Sequence, residues 1–166
     1  MTRTVCQEAI DLIKNAEGCY LTAYYCPAHI PTIGYGHTKG VTPADVANKK
    51  TITKDEAEKL LLKDLSIVSD QVEHYVNVGL SDEQFGALVS FTFNLGAGSL
   101  SESTLLKKLN SGDYLGAANE FDRWVKCTVN GAKVTLPGLV KRRTNEKMLY
   151  LSGTHMDTAM PQSVTF

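Results

Sequence analysis

The chain has 166 residues, the size of one ordinary domain, with the 43% hydrophobic and 21% charged content of a globular protein. A formal net charge of −1 argues against nucleic-acid binding through bulk positive charge. No segment is long and apolar enough for membrane insertion, and no signal-peptide pattern precedes the first predicted helix. Four scattered cysteines argue against both a disulfide framework and a zinc site.

Helical periodicity and capping patterns divide the first part of the chain into segments. Thr4 to Gln7 has the capping-box pattern and predicts the start of a helix that ends near Gly18. The stretch from Cys19 to Gly36 is rich in Tyr, Thr, Ile and Gly, which predicts a hairpin or small sheet. A loop containing Gly40 and Pro43 is expected next.

The rest of the chain is predicted to be mainly helical. In chain order we expect a helix from Thr53 to about Val76, a helix from Ser81 to Gly96, short helices over 103–110 and 113–124, a hairpin around Asn130-Gly131, and a helix from Pro137 to about Leu151. Ser152-Gly153 is expected to end this last helix, and the tail from residue 154 lacks periodicity and is expected to be loosely ordered.

Glu17 is the first candidate for chemistry because it is predicted at the C-terminal end of a helix, where the chain turns into the small sheet. The negative end of the helix dipole disfavours a charged carboxylate there, and partial desolvation adds to this effect. Such a group keeps its proton near neutral pH, as a general acid requires. A solvent-facing Glu with no role is the alternative, and position alone favours it.

The residues that follow Glu17 change this balance. Glu17-Gly18 is followed by Ala23-Tyr-Tyr-Cys-Pro27 and then by the block Thr32-Ile-Gly-Tyr-Gly-His-Thr38. This run resembles the active-site segment of phage-type lysozymes, the endolysins of glycoside hydrolase family 24. In that family a Glu, an Asp and a Thr have the spacing that Glu17, Cys26 and Thr32 have here.

Two further segments extend the resemblance over most of the chain, from about residue 5 to 151. Phe93-Asn94-Leu95-Gly96 looks like the turn that borders the family's cleft, and Arg142-Arg143 looks like part of its C-terminal lobe. The resemblance implies an α+β fold that is predominantly helical and two-lobed, with a small N-terminal β-sheet and a long helix joining the lobes.

The same resemblance implies a domain organisation and an activity. It implies one lysozyme-like domain over 1–153, with a β-containing lobe at about 17–55, a helical lobe at about 75–151 plus the N-terminal helix, and a tail over 154–166. The implied activity is hydrolysis of the β-1,4 bond between N-acetylmuramic acid and N-acetylglucosamine in peptidoglycan, which lyses the bacterial host. The family inverts the anomeric centre.

Residue roles also follow from the resemblance. Glu17 is the expected general acid, and Cys26 and Thr32 are expected to position or activate the attacking water. The expected substrate contacts are Asn94, Tyr35 and Arg142. Arg142 or Arg143 is expected to pair with Glu17 or with muropeptide carboxylates, and the sequence does not choose between them. No metal or organic cofactor is implied.

Cys26 departs from the family, which usually has Asp at this position. Because an ordinary thiol has a pKa near 8.5, only a few per cent of it is thiolate at neutral pH. We therefore hypothesise that a nearby cation or polar backbone depresses this pKa, so that Cys26 acts as a thiolate base or electrostatic stabiliser. Alternatively, Cys26 merely occupies the position. Cys19 could form a disulfide with Cys26, but a reduced Cys19 filling the core is favoured.

Other expectations concern structure, partners and location. His37 is expected to bond a carboxylate, with Asp64 and Asp70 as candidates on the long helix. The implied partner is the peptidoglycan glycan strand, with release from the host cytoplasm depending on a holin. Nucleic acid and stable membrane insertion are not expected, and nothing demands more than a monomer. A lytic transglycosylase acting on the same bond and a non-catalytic peptidoglycan-binding protein are the alternative functions.

Overall fold

A computed structural model describes residues 3–164 of the chain, with side chains over 3–153. In chain order the elements are α1 (Gln7–Glu17), β1 (Tyr20–Tyr25), β2 (Pro31–Gly34), α2 (Pro43–Ala47), α3 (Lys54–Tyr75), α4 (Asp82–Leu95), α5 (Ala97–Glu102), α6 (Thr104–Asn110), α7 (Tyr114–Glu120), a 3-10 turn (Phe121–Arg123), β3 (Lys126–Val129), β4 (Ala132–Thr135) and α8 (Pro137–Val164). This is the predicted α+β class, mostly helical with small antiparallel sheets.

Capping boxes fix the start of the two helices that organise the fold. The hydroxyls of Thr53 and Ser81 accept from the backbone N–H three residues later, so the predicted starts of α3 and α4 are confirmed. The predicted box at Thr4 is wrong. Helix α1 begins after Cys6, whose side chain makes no capping hydrogen bond. Its predicted end is confirmed at Gly18, which has a φ of +72°.

Helix α4 lies at the centre of the helical core. Every residue from 84 to 92 is buried, and the helix packs against α1, α3 and α8. Because α4 is covered on several sides, its middle turns are buried around the whole circumference and not on one face alone. At the C-terminal end of α4, Asn94 lies in the same region as the C-terminal end of α1 and the start of α8.

The predicted N-terminal hairpin is confirmed as an antiparallel pair of β1 and β2. Tyr24 lies opposite Thr32 in its register, and isolated bridges join Thr22 to Thr51 and Ile33 to His37. Strand β2 contacts α3, which also contacts α4 and α5, so the long helix connects the sheet to the helical core. The second predicted hairpin is also confirmed, with the positive φ angles of a type I′ turn at Asn130 and Gly131.

Two short helices are absent from the sequence prediction. Helix α2 stands where we predict a loop, because Thr42 and Asp45 form a capping box and Pro43 occupies the first turn, where its missing N–H costs nothing. Helix α5 begins directly after Gly96, so the predicted end of α4 is also the start of the next helix.

The last helix continues past its predicted end at Ser152-Gly153. Gly153 does not terminate α8. It lies against Ser81 and Glu83, so a Cβ added there would clash with the Ser81 side chain. The backbone is helical to Val164, and the prediction for the final two residues falls outside the described part of the chain. Within residues 3–164, no helix is long and apolar enough to cross a membrane.

Candidate active site

Glu17 is the last residue of α1, and its two carboxylate oxygens have different surroundings. Oε2 accepts a hydrogen bond of 2.6 Å from the Arg142 guanidinium. Oε1 lies against Gly36, where an added Cβ would be only 2.6 Å away. The Glu17 side chain is 21% exposed and Arg142 is 5% exposed, so the pair is accessible from the Glu17 side alone. Of the two arginines left open by the sequence, Arg142 is the one that pairs with Glu17.

A cavity of about 830 Å³ opens beside this carboxylate, between α1 and the first turns of α8. Glu17, Asn94 and Arg142 line it together. The structure thus brings three of the six predicted site residues to one concave surface. The other lining residues are Glu8, Asp11, Leu12, Asn15, Ala16, Leu136, Pro137, Gly138, Leu139, Lys141 and Asn145.

A buried network on α8 supports the cavity wall. Arg142 donates from Nε to Glu146 at 3.3 Å and from Nη2 to the Ser90 carbonyl at 3.2 Å. Arg143, which is fully buried, donates to the same Glu146, to Asn94 and to the Trp124 carbonyl. Burial lowers the pKa of the Arg143 guanidinium, although the Glu146 charge opposes this shift.

Cys26 and Thr32 form a second cluster at the end of the β1–β2 hairpin. Thr32 is 2% exposed, and its hydroxyl donates to the Ile30 carbonyl at 2.7 Å. Burial raises the pKa of the Cys26 thiol, but hydrogen bonds from the backbone at Ile30 and Ala28 and from the Thr32 side chain lower it overall. A hydroxyl carries one hydrogen, so Thr32 gives that hydrogen either to Ile30 or to the thiolate.

Tyr24 connects the two clusters and was not among the predicted site residues. It lies opposite Thr32 on β1. Burial raises the pKa of Tyr24, and the nearby charges of Tyr20, Glu17 and Cys26 raise it further. The charges of Glu17 and of Cys26 both act on the Tyr24 phenol, so Tyr24 lies near both clusters. The alternation of side chains along a strand could have identified Tyr24 from the sequence, because Tyr24 and Thr32 share a face of the hairpin.

The substrate contact predicted for Tyr35 stays a prediction, and the structure places this residue away from the cavity. Its ring is 5% exposed, its hydroxyl donates to Glu58 at 3.2 Å, and it does not line the cavity. The pKa of Tyr35 is raised to about 12, mainly by burial and further by interactions with Cys19 and Glu58. Tyr35 therefore has the surroundings of a core residue that holds the hairpin to α3.

Two other expectations about this region have opposite outcomes. His37 bonds Asp64 on α3 at 2.7 Å, which confirms a carboxylate partner for it. Cys19 is exposed, so the expectation that it fills the core is wrong, and both Cys19 and Cys26 are free thiols. In the part of the chain that the structure describes, no group of three or more His, Cys, Asp or Glu side chains could hold a metal ion.

Comparison with known proteins shows the family of the chain. The phage lysozyme family matches residues 14–146, a span that includes Glu17, the hairpin, Asn94 and the α8 network. The chain belongs to the phage lysozyme family. It is accordingly a lysozyme-type glycoside hydrolase.

Individual relatives extend the likeness to nearly the whole chain. An endolysin of Acyrthosiphon pisum secondary endosymbiont phage 1 is 43% identical over 89% of this chain and 98% of its own length. An endolysin of Bacillus phage B103 is also 43% identical, but the match spans 54% of that longer protein. A SAR-endolysin of bacteriophage PS119 is 39% identical over 82% of this chain and 77% of its own length.

A solved structure shows the same fold. The muramidase domain of SpmX from Asticaccaulis excentricus superposes with a TM-score of 0.81 at 34% identity. The match covers 90% of this chain and 98% of that domain. The fold predicted from the resemblance is therefore confirmed.

Proposed function

We propose that the chain is an endolysin that hydrolyses the β-1,4 bond between N-acetylmuramic acid and N-acetylglucosamine in peptidoglycan, with Glu17 as general acid. The observation that carries this proposal is the asymmetric setting of the Glu17 carboxylate. Oε2 is held by Arg142, whereas Oε1 lies over Gly36, and the Glu17 side chain lines the cavity. The oxygen that is not paired with a cation is the one that carries a transferable proton.

The proposed reaction assigns a proton path to each cluster. Glu17 gives the proton on Oε1 to the glycosidic oxygen as the bond to the anomeric carbon breaks. A water attacks that carbon, and the Cys26 thiolate takes one of its protons while Thr32 orients it. The lowered pKa of Cys26 supports this assignment, because it increases the thiolate fraction near neutral pH.

Mass spectrometry of the fragments released from purified Gram-negative peptidoglycan tests the proposal. We expect muramic ends that have gained one water. Glu17→Gln should release fewer fragments by at least about 100-fold, since a general acid contributes about 10²–10⁴ to the rate. Glu102→Gln, at an exposed position on α5, is the matched control and should cleave like the natural chain.

Each other outcome points to a named alternative. Anhydro-muramic ends, lighter by one water, would assign the chain to the lytic transglycosylases, which need an acid but no positioned water. Binding to intact glycan with no new ends, unchanged by Glu17→Gln, would indicate a peptidoglycan-binding protein. Glu17→Gln at full rate with hydrated ends would remove Glu17 from the mechanism.

Cys26 has its own test, because a base works in its deprotonated form. We expect Cys26→Ser to lower kcat about 100-fold, since a serine hydroxyl is not ionised at neutral pH. Cys26→Asp should remain active. The acid limb of its pH–rate profile should lie at lower pH than that of the natural chain, because Asp ordinarily ionises near 3.9 and a thiol near 8.5. The acid limb of the natural chain should lie at lower pH than an ordinary thiol gives, as the lowered pKa of Cys26 requires.

The control for this series is Cys19→Ser, which changes an exposed free thiol outside the clusters. It should leave both kcat and the acid limb in place. If Cys26→Ser also keeps the natural rate, Cys26 merely occupies the position and the water is activated by another group.

We propose that the chain acts on the cell wall as a monomer after it crosses the host membrane with the help of a holin. Four relatives, 36–39% identical over 82% of this chain, have the name SAR-endolysin, so the route needs a direct test. Expression in a Gram-negative host with and without a holin separates the routes. Lysis without the holin would overturn this part of the proposal.

A further inference from the structure

Glu146 is a fully buried carboxylate that does not line the cavity. One oxygen, Oε2, accepts from the Ser90 hydroxyl at 2.5 Å and from Arg142 Nε at 3.3 Å. The other oxygen, Oε1, accepts from Arg143. Because residues three and four positions apart share a helix face, α8 places both guanidiniums beside this one carboxylate.

The two guanidiniums continue from Glu146 to the two polar groups of the cavity. Arg142 reaches Glu17 Oε2 at 2.6 Å, and Arg143 reaches the Asn94 side-chain oxygen. All three side chains of this buried hub, Glu146, Arg142 and Arg143, are at most 5% exposed. Glu17 on α1 and Asn94 on α4 are therefore each linked, through one arginine, to the same anion on a third helix.

We propose that Glu146 is a positioning residue, which sets the placement of Glu17 through Arg142 and that of Asn94 through Arg143. The inference rests on the proposed role of Glu17 and deepens it. It assigns the orientation of the acid to a residue that touches neither the acid nor the cavity.

Charge balance gives this arrangement a second consequence. Glu17 and Glu146 together neutralise the two arginines. Arg142 from α8 bonds Glu17, and Tyr24 from β1 lies near enough for the Glu17 charge to act on it. From α4, the neutral Ser90 and Asn94 bond the two arginines. Removing the Glu146 charge makes these surroundings more positive, which favours the ionised form of Glu17. A general acid works only while it is protonated. As the pH rises, the variant should therefore lose activity at a lower pH than the natural chain does.

The test compares kcat, KM and the pH–rate profile of Glu146→Gln and Glu146→Asp on purified peptidoglycan. For Glu146→Gln we expect kcat to fall roughly 100-fold, because a displacement of about 1 Å at a catalytic group costs about that much. KM should rise by a smaller factor, because Asn94 also loses its support from Arg143, and the alkaline limb of the pH–rate profile should move to lower pH. Glu146→Asp keeps the buried charge but is one methylene shorter. Its alkaline limb should therefore lie where that of the natural chain lies, while its kcat stays reduced.

A matched control separates positioning from stability. Glu120 is 4% exposed and bonds two cations, Lys108 at 2.9 Å and Arg123 at 3.1 Å, but it does not line the cavity. Glu120→Gln should lose stability without moving the alkaline limb or the kcat of the folded fraction. If Glu146→Gln does not fold, Glu146→Asp carries the test, because its fall in kcat should exceed its rise in KM.

Two results would overturn the inference while leaving the proposed function intact. One is a natural kcat in folded Glu146→Asp and Glu146→Gln, measured beside an inactive Glu17→Gln. The other is loss of activity in proportion to loss of folded protein, with the pH profile of the natural chain. An active Glu17→Gln would instead remove the proposed function on which the inference rests.

Discussion

Replacing Gly36 with alanine should lower kcat/KM on peptidoglycan by roughly 100-fold while leaving a folded protein. An added Cβ at this position lies 2.6 Å from Glu17 Oε1 and 3.1 Å from its Cδ, so the carboxylate must move. The atoms that must move are at the end of the flexible Glu17 side chain, so the backbone can keep its fold. Catalysis does not, because a misplacement of about 1 Å costs about 100-fold in rate.

Gly40→Ala is a close control for the backbone contribution. Gly36 has a φ of +71° and Gly40 a φ of +78°, so alanine is strained at both, by about 1–2 kcal/mol in the free energy of unfolding. An added Cβ at Gly40 meets nothing within 4 Å. The two variants should therefore have similar melting temperatures and very different rates.

The pair of measurements has a clear contrary outcome. Equal rates for Gly36→Ala and Gly40→Ala would mean that the position of Oε1 does not limit the reaction, and the proton would have to be assigned elsewhere. A rate loss in Gly36→Ala that follows its loss of melting temperature would mean that strain, and not the Glu17 contact, is responsible.

Local signals in the sequence predict the frame of the site. The block from Thr32 to Thr38 and the capping residues Thr53 and Ser81 report on neighbours within a few positions, and the structure confirms the hairpin and both helix starts. The end of α1 at Gly18 is local as well, and it places Glu17 where the helix stops. The catalytic roles of Glu17, Cys26 and Thr32 remain predictions.

Long-range placement is what the sequence could not supply. Arg142 lies 125 positions from Glu17, so which arginine reaches that carboxylate depends on how α8 packs on α1. Tyr35 lies in the block that resembles an active site, but the packing of β2 on α3 turns its ring inward. In the sequence, Glu146 looks like an ordinary charged residue of a helix. Its burial depends on the packing of α4 on α8, which brings Ser90 against its carboxylate.

Truncating Arg143 should be among the most destabilising single changes in the helical core. Arg143 is fully buried, and it donates to the Trp124 carbonyl at 2.8 Å as well as to Glu146 and Asn94. Arg143→Met removes these donors and leaves the buried Glu146 with one guanidinium. Breaking a buried ion pair in this way costs about 3–5 kcal/mol. We expect a fall in melting temperature of roughly 10 °C, since each kcal/mol is worth about 2–4 °C at this size.

Lys147→Met on the same helix measures what an exposed ion pair contributes. Lys147 bonds Asp122 at 2.7 Å, but the two side chains are 25% and 56% exposed, so water screens the pair and its loss should cost at most about 1 kcal/mol. Chemical denaturation of both variants gives the comparison directly. Similar losses would mean that the buried arginine gains no more from its partners than a solvated lysine does. The hub of Glu146, Arg142 and Arg143 would then be too loose to fix Glu17.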